Sequence, residues 1–248
     1  LLNHPDRDSY DLSSLRTLGG GGGPRPAEHV KALDKNFKGR PGIGYGLTET
    51  NALGTMGAGD EYINNPSSAG RVVPPLTEIK IIDENWQELP EGKIGEVAIR
   101  SQSNMKGYWR NDDATAECIN SEGWFKSGDL GKFDGPFLYI LDRLKDMVIR
   151  GGENIACPEV EGAIYEHPDV LEASVFGIPD ERLGEILCSS ICLREGSKLS
   201  VESLNEFLSD KLAAFKIPVK IKFTYNPLPK IASGKFDKPT MRQNFIED

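Results

Sequence analysis

The sequence predicts a mixed fold: an α/β segment and a small β-barrel-like subdomain, followed by a small α+β domain. Three observations lead to this prediction. Residues 1–66 contain a glycine run followed by apolar residues at helical spacing, and residues 67–141 contain short alternating segments separated by turn residues. Residues 147–248 alternate between helical and strand patterns over a length typical of one domain. We place a hinge at residues 142–146, where the pattern changes.

The first segment begins with a polar stretch whose leucines recur at every third position up to Leu18, so residues 1–18 predict a helix leading into a strand. The next residues, Gly19–Gly23, offer only backbone as a contact surface. A flexible linker is the alternative for such a glycine-rich run. Apolar residues at helical spacing follow over Pro26–Phe37 and favour a loop that leads into a helix.

The middle of the chain predicts short β-strands. Thr77–Ile82 and Gly95–Arg100 alternate between apolar and polar residues, and Phe137–Leu141 is a mostly apolar run between two polar turns. A short helix is predicted at Asp112–Ile119, with Asn111 or the first residue of the helix as its cap. Together these segments indicate a small, mainly antiparallel barrel or sandwich.

The segment after the hinge predicts a compact mixture of helices and strands. The predicted elements are a helix at Pro158–His167, strands at Leu171–Phe176 and Leu187–Leu193, a helix capped by Ser200, a strand at Lys220–Tyr225 and a final helix from Asp237. The strand before the final helix alternates cleanly, so we expect Ile221, Phe223 and Tyr225 to point inward.

Charge and composition argue against several classes of partner. The formal net charge is −9 at pH 7 and the pI is near 5.0, which argues against nucleic acid or an anionic membrane surface as the main partner. No stretch is long and apolar enough to predict a membrane span. The cysteines show no CxxC pairing, so we expect buried, reduced thiols and a cytoplasmic protein. They are Cys118, Cys157, Cys188 and Cys192.

A second glycine-rich stretch places Tyr45 between Gly44 and Gly46. An aromatic ring with small residues on both sides suits stacking on a planar ligand. Thr48 then offers a hydroxyl and Glu49 a carboxylate, oxygen groups that suit phosphate and Mg²⁺ respectively. A turn with a buried tyrosine and a solvated glutamate is the alternative interpretation.

Two polar turns on either side of the Phe137–Leu141 run carry opposite charges. Asp129 follows Ser127-Gly128, where we expect an exposed and fixed acceptor, and Arg143 is a permanently charged fork of donors. The strand between the turns would bring both side chains to one edge of the protein. A surface hairpin with a solvated ion pair between them is the alternative.

Two later loops have compositions that suit contact with a ligand. Arg150–Asn154 contains Gly151 and Gly152, which permit positive φ and close approach of the backbone to a ligand. Pro229–Lys235 ends in a lysine after a Ser-Gly turn, and this lysine can extend toward an anion as a point cation. Most loop lysines are merely solvated, so a ligand-binding role for Lys235 is indicated only in combination with the other motifs of the chain.

Five motifs occur at wide spacing in the order YGLTE, SGD, DRLKD, RGGEN and PKIASGK. Together they resemble the adenylate-forming superfamily, which contains AMP-forming acyl-CoA ligases, adenylation domains and beetle luciferases. The resemblance extends over essentially the whole chain and is greatest to the acyl-CoA ligases. It implies the end of a large N-terminal domain with a small β-barrel subdomain, followed by a small, mobile C-terminal domain.

The resemblance also implies a role for each matching position. The implied ATP and AMP contacts are Gly21, Gly22, Gly23, Gly44, Tyr45, Gly46, Thr48, Asp129, Ile140 and Arg143, with Glu49 as the metal ligand. The other implied roles are Lys145 as the hinge, Gly151, Gly152 and Glu153 for coenzyme A, Ala52 and Leu53 for the acyl pocket, and Lys235, Thr48 and Glu49 for catalysis.

The activity implied by the resemblance is ligation of a carboxylic or fatty acid to coenzyme A, with ATP and Mg²⁺. The acid is first activated as an acyl-adenylate. The chain departs from the family at Gly23 and Arg25, where alanine and an apolar residue are usual. It also lacks the family's Ser/Thr/Gly-rich phosphate loop, so we expect the C-terminal half of a longer ligase that is inactive or severely impaired by itself.

Two other interpretations stay open. A fragment without catalytic activity could bind a nucleotide, coenzyme A or a protein partner. An adenylation domain that loads a carrier-protein thiol is the alternative within the enzyme class. A luciferase is less favoured, because Ile149 stands where the second lysine of that branch would be.

Overall fold

The computed structural model describes residues 2, 4, 6–23, 25–232 and 234–247. Two residues of the predicted loops, Pro24 and Ser233, therefore lie outside the described residues. The chain divides into two compact units, Leu1–Leu144 and Lys145–Asp248. The first unit joins the two segments predicted at 1–66 and 67–141, and each unit is described by itself.

The first unit opens with a four-stranded sheet in the order β1 (Thr17–Leu18), β2 (Arg40–Tyr45), β3 (Thr55–Ala58) and β4 (Arg71–Val72). β1 runs parallel to β2, and the other pairs are antiparallel. Helices α1 (Ala27–Asn36) and α2 (Gly59–Asn64) pack against β2. A buried cluster holds them there, formed by Val30, Ile43 and Tyr62.

The helix predicted within residues 1–18 is wrong, although the strand that follows it is present. Before β1, the described part of this stretch contains only a 3₁₀ turn at Arg7–Ser9. Asp11 accepts a hydrogen bond from the Ser13 N–H at 3.0 Å. Such local side-chain bonding to the backbone competes with helix formation. By contrast, the helix predicted at 26–37 is confirmed by α1.

The second sheet of this unit is an antiparallel meander of β5 (Thr77–Ile82), β6 (Gly95–Ser101), β7 (Phe125–Asp134) and β8 (Phe137–Arg143). Helix α3 (Asp112–Cys118) lies between β6 and β7 and is capped by the Asn111 side chain. The predicted strands and short helix are confirmed. The predicted barrel is not confirmed, because no sheet closes on itself among the residues that the structure describes.

The second unit contains a five-stranded sheet. β12 (Gly184–Leu193) pairs along its length with β11 (Val170–Asp180). The other edge of β12 pairs with β13 (Lys220–Thr224) and, at its beginning, with β9 (Val148–Arg150). β9 in turn pairs with β10 (Glu153–Ile155). The helices are α4 (Cys157–Tyr165), α5 (Val201–Ser209) and α6 (Lys238–Ile246).

Both faces of this sheet are covered, because successive residues of β11 and β12 belong to different apolar clusters. Val175 and Leu187 pack with α4 and α5, whereas Phe176 and Cys188 pack with α6. The predicted inward position of Tyr225 is wrong: β13 ends at Thr224, and the tyrosine is 62% exposed. Its hydroxyl donates to the Ser197 carbonyl at 2.9 Å.

Three of the four cysteines are buried, as predicted, whereas Cys118 at the end of α3 is half-buried. The longest helix among the described residues has ten residues, and none could cross a bilayer.

Candidate functional site

The centre of the candidate site is the carboxylate of Asp129. Asp129 lies opposite Arg143 in the β7–β8 ladder, and Arg143 Nε is 3.3 Å from Asp129 Oδ1. The Tyr45 hydroxyl at the end of β2 donates to Asp129 Oδ2 at 2.8 Å. The structure thus brings three sequence-predicted residues from two different sheets into direct contact.

The expectation of an exposed Asp129 on a turn is wrong. Asp129 lies inside β7, and its side chain is 8% exposed, whereas the Arg143 side chain is 45% exposed. The strand continues through this position because pairing resumes beyond a bulge between Leu130 and Gly131. The hairpin with an ion pair is therefore real, but its acidic partner is buried rather than solvated.

A carboxylate that the sequence did not single out holds the backbone beside Asp129. Glu96 Oε1 on β6 accepts the Gly128 N–H at 3.0 Å, and the Gly128 carbonyl accepts the Leu144 N–H at 2.8 Å. Burial raises the pKa of Glu96, while the Gly128 N–H and Lys126 act in the opposite direction. No motif marks Glu96, since only the β6–β7 register places it here.

Tyr45 is fixed by packing as well as by its hydroxyl. Its ring and Ile140 both pack against the core of the second sheet. Burial and the negative charge of Asp129 raise the pKa of Tyr45, so the phenol remains a hydrogen-bond donor at neutral pH. Gly46 follows, and a Cβ at this position would lie 2.4 Å from the Ala52 backbone. Only glycine allows this close approach of the two chain segments.

The glycine run, Gly19–Gly23, pairs with β2 in its first part and is open to solvent in its second part. Its first half continues the parallel pairing of β1, since the Gly20 N–H donates to Gly42 at 3.1 Å and the Gly44 N–H donates to Gly20 at 2.9 Å. A Cβ at Gly22 or Gly23 would meet no atom within 4 Å. Gly21, Gly22 and Gly23 are all exposed, so this backbone is available to a ligand.

Thr48 and Glu49 lie in a 3₁₀ turn directly after Gly46 and Leu47, and Thr48 is exposed. The next two residues, Asn51 and Ala52, have φ values of 51° and 60°. Positive φ is costly for residues other than glycine and is common at functional sites. Hydrogen bonds maintain this turn: Asn51 Nδ2 donates to the Ser103 carbonyl at 2.7 Å, and Ser103 Oγ donates to the Thr50 carbonyl at 2.9 Å.

Tyr108 is a second contributor that sequence reasoning missed. Its hydroxyl donates to Glu49 Oε1 at 3.0 Å, and the nearby Met105 N–H donates to the Glu49 carbonyl. Burial and the Glu49 carboxylate raise the pKa of Tyr108 to about 12. The available signal was an aromatic residue directly after Gly107 in a polar loop.

The two residues predicted to line an acyl pocket lie on the same strained turn. Ala52 is exposed and Leu53 is half-buried. Neither belongs to the apolar clusters of the described residues, which leaves their side chains available for other contacts.

The donor groups around Glu49 limit how a metal ion could bind. Within the described residues, no three His, Cys, Asp or Glu side chains come close enough to hold a metal ion. Glu49 supplies the carboxylate of this turn. Mg²⁺ commonly binds through one or two carboxylates together with substrate phosphates, so Glu49 fits an ion that is also held by a nucleotide.

The remaining predicted residues belong to the second unit. Lys145 is its first residue and lies exposed in a turn before β9. Gly151 and Gly152, with φ values of 61° and 88°, form the two-residue turn of the β9–β10 hairpin. Glu153 follows on β10 and is exposed, as is Lys235 in the loop before α6.

Comparison with known families gives two matches. The profile of the AMP-binding enzyme family matches residues 1–109, and that of the AMP-binding enzyme C-terminal domain matches residues 159–235. The segment between them contains Asp129, Arg143 and Lys145.

Curated relatives match nearly the whole chain. YngI of Bacillus subtilis (strain 168) is 41% identical over 99% of the chain and 45% of its own length. A feruloyl-CoA synthase of an Amycolatopsis species is 37% identical over 98% of the chain and 49% of its own length. The mitochondrial medium-chain acyl-CoA ligase ACSF2 of Bos taurus is also 37% identical, over 98% of the chain and 40% of its own length. The chain thus spans about half the length of the relatives it matches.

Solved structures of adenylate-forming enzymes also resemble nearly the whole chain. The amide bond synthetase McbA from Marinactinospora thermotolerans has a TM-score of 0.88 and 33% identity, over 98% of this chain and 50% of its own. ATP-bound MatB from Rhodopseudomonas palustris has a TM-score of 0.86 and 30% identity, over 98% of this chain and 48% of its own.

Proposed function

Because the chain belongs to the adenylate-forming family of AMP-binding enzymes, we propose that the protein is an AMP-forming acid–thiol ligase. It activates a carboxylic or fatty acid with ATP and passes the acyl group to coenzyme A. The observation that carries the proposal is the contact of Tyr45 and Arg143 with the buried Asp129 carboxylate. The names of the matched synthases and ligases support the same reaction class.

The nucleotide would be held by the first unit. Tyr45 stacks on the adenine and Ile140 closes the opposite side, which their common apolar cluster supports. Asp129 accepts hydrogen bonds from the ribose hydroxyls, and Arg143 supports the same sugar. The exposed backbone of Gly21, Gly22 and Gly23, together with Gly44 and Gly46, borders this space.

The phosphates would lie at the 3₁₀ turn. The Thr48 hydroxyl contacts the α-phosphate, and Glu49 holds Mg²⁺, which neutralises charge on the phosphates. The strained residues that follow support this assignment, because two hydrogen bonds with Ser103 hold the turn that presents Thr48 and Glu49. Ala52 and Leu53, on the same turn, line the acyl pocket.

The reaction has two balanced steps. A substrate carboxylate oxygen attacks the α-phosphorus of ATP, the bond to the β-phosphate oxygen breaks, and acyl-adenylate and pyrophosphate form. The coenzyme A thiol then gives its proton to solvent and attacks the acyl carbon, the bond from that carbon to the AMP oxygen breaks, and a thioester and AMP form. Lys235 reaches the α-phosphate and the substrate carboxylate, where positioned cations stabilise the charge that develops in the first step.

The second unit would serve both steps by rotation about Lys145. In one position it presents Lys235, and in the other it presents Gly151, Gly152 and Glu153 to the pantetheine arm of coenzyme A. The glycine turn supports this role, because it offers bare backbone at an exposed hairpin tip.

Lys235→Ala tests the proposal, and this and every other activity assay uses a ligase of the relatives' full length that contains this chain. We expect the rate of pyrophosphate release to fall roughly 10²–10³-fold, because one charge-stabilising contact of the transition state is lost. Thioester formation from synthetic acyl-adenylate should fall much less. Lys198→Ala, at another exposed lysine of the same unit, is the control. Equal losses in both half-reactions would contradict the role of Lys235.

The second half-reaction, measured from synthetic acyl-adenylate, also identifies the group that accepts the acyl chain. The structural neighbour McbA is an amide bond synthetase by name. Acyl-adenylate should therefore be offered to coenzyme A and to a primary amine in parallel. The proposal requires thioester formation to exceed amide formation.

A further inference from the structure

The loop that carries Lys235 has a closed neck. At its base, Lys230 and Phe236 form a β-bridge, and the Asp237 N–H donates to the Pro229 carbonyl at 2.9 Å. Nearer the tip, the Ile231 N–H donates to the Lys235 carbonyl at 2.9 Å. These bonds make the loop a short hairpin with Lys235 beside its end.

One carboxylate holds the incoming side of the neck. Glu172 on β11 accepts the Leu228 N–H at 2.8 Å through one oxygen and pairs with Lys230 Nζ through the other. Its side chain is 20% exposed. A partly buried carboxylate that binds both a backbone N–H and an ammonium group fixes position more firmly than a surface ion pair does.

A second carboxylate holds the outgoing side. Glu161 Oε1 on α4 lies 3.2 Å from Lys238 Nζ, and it also accepts the Val175 N–H of β11 at 2.9 Å. Lys238 is the first residue of α6, directly after the neck residue Asp237. The side chains of this pair are 14% and 19% exposed.

We propose that Glu172 and Glu161 are positioning residues that aim Lys235 at the reacting phosphate. The inference rests on the proposed role of Lys235 in adenylation. Neither carboxylate is part of the loop tip, so each affects Lys235 through the neck. A loop that is already ordered loses less conformational freedom when its lysine enters the transition state, which accelerates the step that uses the lysine.

Glu172→Gln tests this proposal through the two half-reactions. We expect the rate of adenylation to fall about tenfold, because the lysine is less well placed. Thioester formation from synthetic acyl-adenylate should stay within about twofold of the wild type, because that step does not use Lys235. Glu166→Gln is the matched control, since Glu166 on the same unit pairs with Lys211 instead.

Amide hydrogen exchange separates failure of this inference from failure of the proposed function. In Glu172→Gln the Ile231 and Gly234 N–H groups should exchange faster than in the wild type, and in Glu166→Gln they should not. Faster exchange in a protein that forms no adenylate would refute the proposed function but not the anchoring of the loop. Unchanged exchange, or equal losses in both half-reactions, would overturn the inference.

Discussion

At the scale of single residues, the candidate site depends on how the charge of Asp129 is satisfied. A buried carboxylate is tolerated only when it is paired and hydrogen-bonded. Tyr45 and Arg143 supply these partners, one on each oxygen. A carboxylate has about four acceptor positions, so these two contacts are compatible with further bonds to ribose hydroxyls.

Tyr108→Phe removes the hydroxyl that orients Glu49. We expect half-maximal adenylation to require a roughly three- to tenfold higher Mg²⁺ concentration, since a hydrogen bond to a charged group typically contributes about 1.5–3 kcal/mol and Tyr108 is partly exposed. Pyrophosphate release titrated with Mg²⁺ measures this. Tyr10→Phe, at an exposed tyrosine, is the control. The same Mg²⁺ requirement in all three proteins would contradict this role of Tyr108.

Glu96→Gln tests the buried carboxylate behind Gly128. Because the pKa of Glu96 is raised above its ordinary value of 4.5, the folded state binds this proton more tightly than the unfolded state. The resulting stability is fully present below the ordinary value and is lost as pH rises through the raised pKa. The stability of the wild type relative to Glu96→Gln should therefore decrease over this window.

Urea unfolding across this pH range measures the difference between the two proteins. Glu91→Gln is the matched control, because Glu91 also accepts a glycine N–H, that of Gly135, but is exposed. A stability difference that stays constant or rises with pH would contradict a raised pKa of Glu96.

At the scale of elements, the turns decide which side chains meet. The two-glycine turn joins β9 to β10, and positive φ at both positions suits the right-handed twist of a hairpin. The bulge in the β7–β8 ladder likewise allows Asp129 and Arg143 to face each other. Turn and bulge residues therefore decide which side chains meet, because they set the register in which two strands pair.

The same substitution should have opposite effects at two glycines of the second unit. Gly152→Ala should lower the free energy of unfolding by about 1–2 kcal/mol, because alanine is strained at a φ of 88°. Gly162→Ala should raise it by about 0.5–1 kcal/mol, because Gly162 lies within α4 and its Cβ would meet no neighbour within 4 Å. Urea unfolding measures both changes, and a shared sign would be contrary to expectation.

At the scale of the whole molecule, each unit has its own apolar cores. The boundary between the units falls between Leu144 and Lys145, directly after the strand that carries Arg143. Separate cores are the usual condition for two parts of a chain to move as rigid bodies. The proposed two-step reaction requires such movement.

Lys145→Pro tests the hinge. Proline fixes φ near −65° and restricts the preceding residue, so rotation at this point should be blocked. We expect thioester formation to fall at least about tenfold while adenylation is retained. Both half-reactions can be measured separately, as for Lys235→Ala. Unchanged overall turnover would exclude Lys145 as the pivot.

The sequence alone predicted most of the elements and three of the residues that meet at the candidate site. Periodicity and cap residues located α1, β5, β11, β12, β13 and the helices of the second unit, because apolar spacing reflects which face is buried. The glycine-flanked Tyr45 and the charged turns around β8 marked the site, since ligand contacts need particular residue types. The family followed from the order of these motifs.

Only the tertiary structure decided the burial of Asp129, the open form of the second sheet and the contributions of Glu96, Tyr108 and Glu172. These features depend on strand register and on contacts between residues far apart in the chain. A glutamate or tyrosine in a polar loop looks the same in sequence whether it is solvated or bonded. Its role is determined by the neighbours that folding brings to it.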